Sequence, residues 1–172
     1  MSINIVLYQP EQPGNTGTIG RTCHATGARL HLIEPLGFHL TEKKLRRAGM
    51  DYWFDLDVTR YINYEEFLEK NPNAKLFYAT TKAPHVYSDV HYDDDCYIMF
   101  GPESRGIPEE ILVEHPERCV RLPMAEGMRS INLANSVAVF LYEALRQNNF
   151  LDLEKAGHLT KYETDAQGNK WE

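Results

Sequence analysis

Short apolar runs rich in β-branched and aromatic residues recur along the chain, each followed by a turn and then by helical patterning. Ile3 to Tyr8 (INIVLY) reads as a buried strand. A turn with Pro10, Pro13 and Gly14 leads to a helix predicted from about Thr16 to Thr26, capped by Asn15 or Thr16 and ended by Gly27. Leu30 to Ile33 is a second strand, closed by Glu34-Pro35. Thr41 to Gly49 (TEKKLRRAG) has the pattern of a short basic helix, and strand character returns weakly near Val58. Tyr64 to Asn71 is an amphipathic helix with Phe67 and Leu68 inward, stopped by Pro72. Lys75 to Thr81 and Cys96 to Phe100 are strands, and Pro108 opens a helix to about His115. Cys119 to Leu122 is the last strand, and Asn132 to Gln147 the longest helix.

This alternation predicts an α/β fold: a mainly parallel sheet flanked by helices. Residues 1–150 form one domain on this reading, and 151–172 a polar C-terminal tail without sustained period. In such sheets ligands sit at the carboxyl ends of strands, so the loops after Tyr8, Ile33, Thr80, Phe100 and Leu122 are the ones to inspect.

Composition narrows the classes. At 172 residues, 42% hydrophobic and 25% charged, the chain buries a real core. No apolar run approaches a membrane span and the N-terminus lacks a signal-peptide pattern, so a cytoplasmic location is expected. Cys23, Cys96 and Cys119 are scattered and read as reduced, partly buried thiols. The seven histidines have no metal-ligand spacing, so no metal is expected. The net charge of −7 argues against a nonspecific polyanion binder, yet Lys43, Lys44, Arg46 and Arg47 concentrate four cations in five positions. That cluster is either a phosphate-backbone contact or a solvated helix face.

Three stretches carry candidate chemistry. Gly14 to Arg21 places glycines after a strand and before a helix, where backbone N–H groups can meet a phosphate. With Glu34 as a ribose-binding acid it suggests a Rossmann-type cofactor site; the alternative is a tight turn with close helix–sheet packing. Gly101 to Gly106 (GPESRG) forms a second glycine-bearing loop carrying Glu103. Leu122 to Asn148 passes through a polar loop with Gly127, Arg129 and Ser130 into the long helix. That helix has Leu133, Val137, Leu141 and Ala144 on one stripe and Val139, Phe140 and Tyr142 beside or across from it, an apolar excess that suggests a homodimer, the plain alternative being a fully buried helix.

Asn15-Thr-Gly17…Arg21, FGPESRG from Phe100, LPM…RSINLANS from Leu122 and LRRAGMDYW from Leu45, in this chain, together resemble the SPOUT class of knotted RNA methyltransferases. The resemblance covers about Ile3 to Phe150 and is closest to the small branch that methylates the ribose 2′-oxygen at the tRNA wobble position. It implies a C-terminal deep trefoil knot, an exception to unknotted connection. It also implies S-adenosylmethionine as cofactor, held by Ala79, Gly101, Leu122 and Ser130, largely through backbone atoms. Arg21 matches the family arginine near the acceptor hydroxyl, with Asn15 and Ser130 as further catalytic residues and Glu103 and Asn132 as organisers. The implied partners are a tRNA anticodon stem-loop and a second copy of the chain. Gly14, Thr18 and Gly20 depart from the usual residues of the first motif but leave Asn15, Gly17 and Arg21 intact. Competing readings are methylation of another tRNA or rRNA ribose, a Rossmann-type nucleotide-dependent enzyme, and a noncatalytic RNA-binding dimer.

Overall fold

The computed structural model describes residues 2–41 and 51–171. Among these, seven strands follow in chain order: β1 (Asn4–Tyr8), β2 (Arg29–Ile33), β3 (Val58–Tyr61), β4 (Leu76–Ala79), β5 (His85–Val86), β6 (Tyr97–Phe100) and β7 (Cys119–Arg121). They form one sheet in the order β3-β2-β1-β6-β4-β7-β5, and every pairing is parallel. Four α-helices accompany them: α1 (Pro13–Thr26), α2 (Tyr64–Lys70), α3 (Glu109–Leu112) and α4 (Leu133–Gln147). The expected α/β architecture is the observed one. The chain starts in mid-sheet at β1, builds outward through β2 and β3, then crosses to the other side. The loops after β1 and β6 therefore part at a switch point, where such sheets bind ligands.

Side-chain alternation divides the core into two layers. Ile5, Leu7, Leu30, Leu32, Ile98 and Phe100 face one way and pack with Ile19 and Cys23 of α1 and Val137, Phe140 and Leu141 of α4. Val6, Ile33, Tyr78 and Met99 face the other way, against Phe67 of α2 and Leu112 of α3. Each fully buried aliphatic side chain contributes about 1.5–3 kcal/mol of transfer free energy, so the sheet's register is fixed by both faces. All three cysteines are buried and free, and burial pushes the Cys23 and Cys96 thiols up to about 12.

Several boundaries differ from the sequence reading for identifiable reasons. α1 begins at Pro13, not Thr16, because proline pre-sets the first helical φ and lacks an N–H that would go unpaired. Asn15 and Thr16 thus lie inside the first turn and are not its caps. At its other end Gly27 adopts the left-handed conformation at φ 67°, as expected of it. Gly20 sits where a Cβ would come within 2.6 Å of the Trp53 ring, so the helix can lie tight against that indole. α3 stops at Leu112, and Pro116 starts a separate 3-10 turn, Pro116–Arg118. Leu68 is exposed, leaving Phe67 alone as the buried anchor of α2. The two-residue β5 escaped the pattern because it is too short to show alternation. The basic segment around Lys43 to Arg47 lies outside the described residues. After α4, Phe150, Leu151 and Leu153 pack on the core edge, and Thr164 bridges to Lys170 around a turn held by the Asp165 carboxylate.

A polar chain is embedded near the amino ends of β1 and β2. His31 bonds the Tyr61 hydroxyl at 2.8 Å through Nδ1 and Asn4 Oδ1 at 3.2 Å through Nε2, and Asn71 donates to Tyr61. Since Asn4 Oδ1 only accepts, Nε2 carries a proton, and in the neutral ring Nδ1 accepts from the Tyr61 hydroxyl. Burial lowers the His31 pKa from 6.5 to about 4. The unfolded chain is then protonated first on acidification. The associated stability is complete above pH 6.5 and is lost as pH falls towards 4, amounting to about 3 kcal/mol. NMR titration should find the His31 ring neutral at pH 5, with stability falling through that window; an imidazolium at pH 6 in the folded protein would refute it.

Candidate active site

The loops that follow β1, β6 and β7 are joined by one hydrogen-bonded network. α1 has no acidic residue in its first turn and no cap from Gln12, so its N-terminal N–H groups need an acceptor from elsewhere. Glu103, from the loop after β6, meets the N-cap amide of Gln12 and the Glu11 amide just before it. Its Oε2 accepts from the Glu11 backbone N–H at 2.8 Å, and its Oε1 accepts from the Gln12 N–H at 3.2 Å and Asn15 Nδ2 at 3.1 Å. Glu11 returns the exchange, accepting from the Ser104 N–H at 2.9 Å and the Ser104 hydroxyl at 2.7 Å. That hydroxyl, then that amide, hold the Glu11 carboxyl below the usual carboxylate range, with Arg105 adding a smaller effect.

Asn15 extends the network to the third loop: its Oδ1 accepts from Asn132 Nδ2 at 3.1 Å. Asn132 in turn caps α4, its Oδ1 accepting from the Asn135 N–H at 3.2 Å. The entry to the last helix is thereby bound to the start of the first.

Behind this network lies a cleft of about 590 Å³ at the carboxyl ends of the neighbouring strands β6, β4 and β7. Its floor is the edge-to-face pair Phe100 and Phe140, with ring centroids 5.4 Å apart. Ala79, Leu122, Ser130 and Asn15 all line it, so four of the residues singled out from the sequence converge. Gly101 stands behind the wall. A Cβ there would fall 2.2 Å from the Gly106 carbonyl carbon and the Ile107 nitrogen, so only glycine lets the 101–107 loop fold back on itself. Gly106, at φ 72°, closes that loop with its N–H on the Pro102 carbonyl at 2.9 Å.

Arg21 is not among the lining residues. It is exposed on α1 beside Tyr52, whose hydroxyl donates to the Gly17 carbonyl at 2.6 Å. Of the two readings of Gly14 to Arg21, the phosphate loop gives way to close helix packing: the segment is helical from Pro13, and from Thr16 onward its amides are taken up within α1. Glu34 likewise is not a free ribose acceptor but binds Arg60 Nη2 at 2.5 Å. Phe140, placed beside the stripe in the sequence reading, proves to be core and cleft floor together, while Val139 and Tyr142 remain exposed. The part played by Glu11 was not anticipated. The signal was present in a carboxylate two residues before Pro13, at a helix start lacking its own cap.

The fold and cleft place the chain in a known class: residues 2–142 match the SpoU rRNA Methylase family, to which the chain belongs. It is similar to the tRNA (cytidine(34)-2′-O)-methyltransferase of Escherichia coli (strain K12), 52% identical over 146 residues that span 84% of this chain and 93% of the other. A solved structure described by the 2-OH methylation of C/U34 on tRNA is 42% identical with a TM-score of 0.80, over 86% of this chain and 97% of that one. An AdoMet-bound rRNA methyltransferase from Sinorhizobium meliloti is 27% identical with a TM-score of 0.74, covering 84% of this chain and 56% of that one.

Replacing Glu103 by Gln puts an N–H₂ group against donors and should cost about 1–3 kcal/mol in chemical denaturation. Ser104→Ala, which leaves the capped amides satisfied, should cost about 1 kcal/mol or less. Equal losses in the two variants would contradict the capping role of Glu103.

Proposed function

We propose that this protein is an S-adenosylmethionine-dependent tRNA methyltransferase acting on the ribose 2′-hydroxyl of the wobble nucleotide, a cytidine or modified uridine. The observation that carries the reading is the cleft: a preformed pocket on three adjacent strand ends, walled by glycine-bearing loops, in a chain 52% identical to an enzyme of that name. Its volume lies in the range of about 300–1,000 Å³ usual for small-molecule sites. The mixed lining also fits the cofactor, with Phe100, Leu122 and Phe140 for an adenine face and Thr80 and Ser130 for polar groups. Backbone atoms of Ala79 and Leu122 would hold it, with Gly101 keeping the wall open.

When bound, the cofactor supplies a methyl group already activated on a sulfonium. The chain's task is to place the acceptor hydroxyl and assist its deprotonation. Arg21 is assigned to the acceptor side. A guanidinium offers only donors, so together with an RNA phosphate it orients the hydroxyl and stabilises developing negative charge. Asn15 and Ser130 organise the same pocket.

Because Arg21 lies outside the cleft of its own chain, we assign the complete site to a homodimer. The solvent stripe of α4 carries Val139 at 42% and Tyr142 at 49% exposure, and Met128 and Ile131 in the segment before α4 are exposed as well. This apolar face supports self-association that brings Arg21 of one protomer to the cleft of its partner. The C-terminal trefoil knot belongs to the same reading. The shared lining of one cleft by the 122–133 segment and the loops after β4 and β6 is compatible with such a path. Residues 1–150 carry the activity and 151–172 are an appendage. No helix among the described residues is long and apolar enough to cross a membrane. The cytoplasm is assigned as the place of action because the proposed substrate is tRNA.

Labelled S-adenosylmethionine should pass its methyl to tRNA, and Arg21→Ala should lower kcat/KM by about 10²-fold or more with cofactor affinity little changed. Label found on a base would overturn the mechanism. Sedimentation should give a two-chain mass that Val139→Asp with Tyr142→Asp reduces to one; a wild-type monomer would overturn the dimer.

A further inference from the structure

The charge of the cleft does not match the charge of the cofactor. The whole chain carries −7, yet the cleft is lined by Lys82, Arg105, Arg121 and Arg129, with Glu103 as its only carboxylate among the described residues. The Glu103 oxygens are already occupied by N–H donors of the 11–15 segment. Lys82 is paired with Glu109, and Arg105 donates to the Gln9 side-chain oxygen at 2.5 Å. Arg121 and Arg129 have no ion pair among the described residues. S-adenosylmethionine has a sulfonium, an ammonium and one carboxylate, so it enters this cleft as a net cation. A cationic rim opposes that ligand and favours an anion. The demethylated product, S-adenosylhomocysteine, has no sulfonium charge and escapes most of the penalty.

We propose that Arg121 and Arg129 hold a backbone phosphate of the RNA at the cleft mouth, and that this phosphate couples RNA binding to methyl-donor binding. The inference rests on the methyltransferase reading and adds to it a phosphate site and a binding linkage. A phosphate held by these two guanidinium groups cancels the positive charge that opposes a cationic ligand in the same cleft. RNA therefore raises the affinity for the charged donor more than for the neutral product. By reciprocity the donor tightens RNA by the same factor that RNA tightens the donor. Without RNA the product is the better ligand, which keeps the donor from being held idle.

Calorimetry on the full chain tests this with both adenosyl ligands, alone and saturated with an anticodon stem-loop RNA. A 2′-deoxy wobble nucleotide in that RNA prevents turnover. The ratio of the donor's Kd to the product's Kd should fall about fivefold when RNA is added at low salt, and less at high salt. In the Arg121→Gln, Arg129→Gln variant the RNA effect on that ratio should largely vanish. The slope of log affinity for RNA against log salt should shrink by about 1. Retained product binding shows that the variant is folded. A ratio unchanged by RNA in the wild-type protein, or an unaltered salt slope in the variant, would overturn the proposal. Failure of the wild-type protein to bind either adenosyl ligand would overturn the methyltransferase reading itself, and the coupling with it.

Discussion

The Glu103 carboxylate on the N-terminus of α1 is the interaction on which the site depends. A helix start concentrates unpaired N–H groups and positive dipole, and here the chain provides no local side chain to meet them. The acceptor comes instead from a loop about ninety residues later, fixing where that loop must lie. The return bonds from Ser104 to Glu11 make the connection reciprocal, so neither loop can move without exposing the other's polar groups. Asn15 and Asn132 carry the same constraint to the start of α4. Three loops on different strands thus behave as one wall, and the cleft exists before any ligand arrives.

Such pre-organisation suits a reaction in which the cofactor is already activated and positioning limits the rate. It also explains the division of labour along the chain. The two-layered core fixes the strand ends, the carboxylate exchange fixes the loops, and the glycine at 101 lets backbone come close to backbone. Four cationic side chains, Lys82, Arg105, Arg121 and Arg129, line the cleft that results. Arg21 is separate from all of this, on the outer side of α1.

Much of this was legible in the sequence, and the rest was hidden for physical reasons. Five of the seven strands announce themselves as apolar runs, β3 only weakly, and Gly27 marks the end of α1 because only a residue at ease with positive φ fits there. The ordered motifs placed Asn15, Ala79, Leu122 and Ser130 in one cleft although they are far apart in the chain. The first glycine motif left two readings open. Glycines after a strand fit a phosphate loop as well as close packing, and the structure decides for packing: Pro13 starts the helix early and Gly20 admits Trp53. Long-range capping leaves no local pattern, so Glu103 read as an isolated acid and Glu11 as part of a turn. The two-residue β5 is too short for any periodicity to betray.

The unity of the three loops can be measured by a double-mutant cycle on stability between Glu103→Gln and Asn132→Ala, residues linked only through Asn15 among the hydrogen bonds of the described residues. If the loops form one network, the two losses will interact by about 1 kcal/mol or more, and the interaction will disappear in an Asn15→Ala background. Losses that add to within about 0.3–0.5 kcal/mol would contradict the account, leaving the cleft as three independent loops that happen to meet.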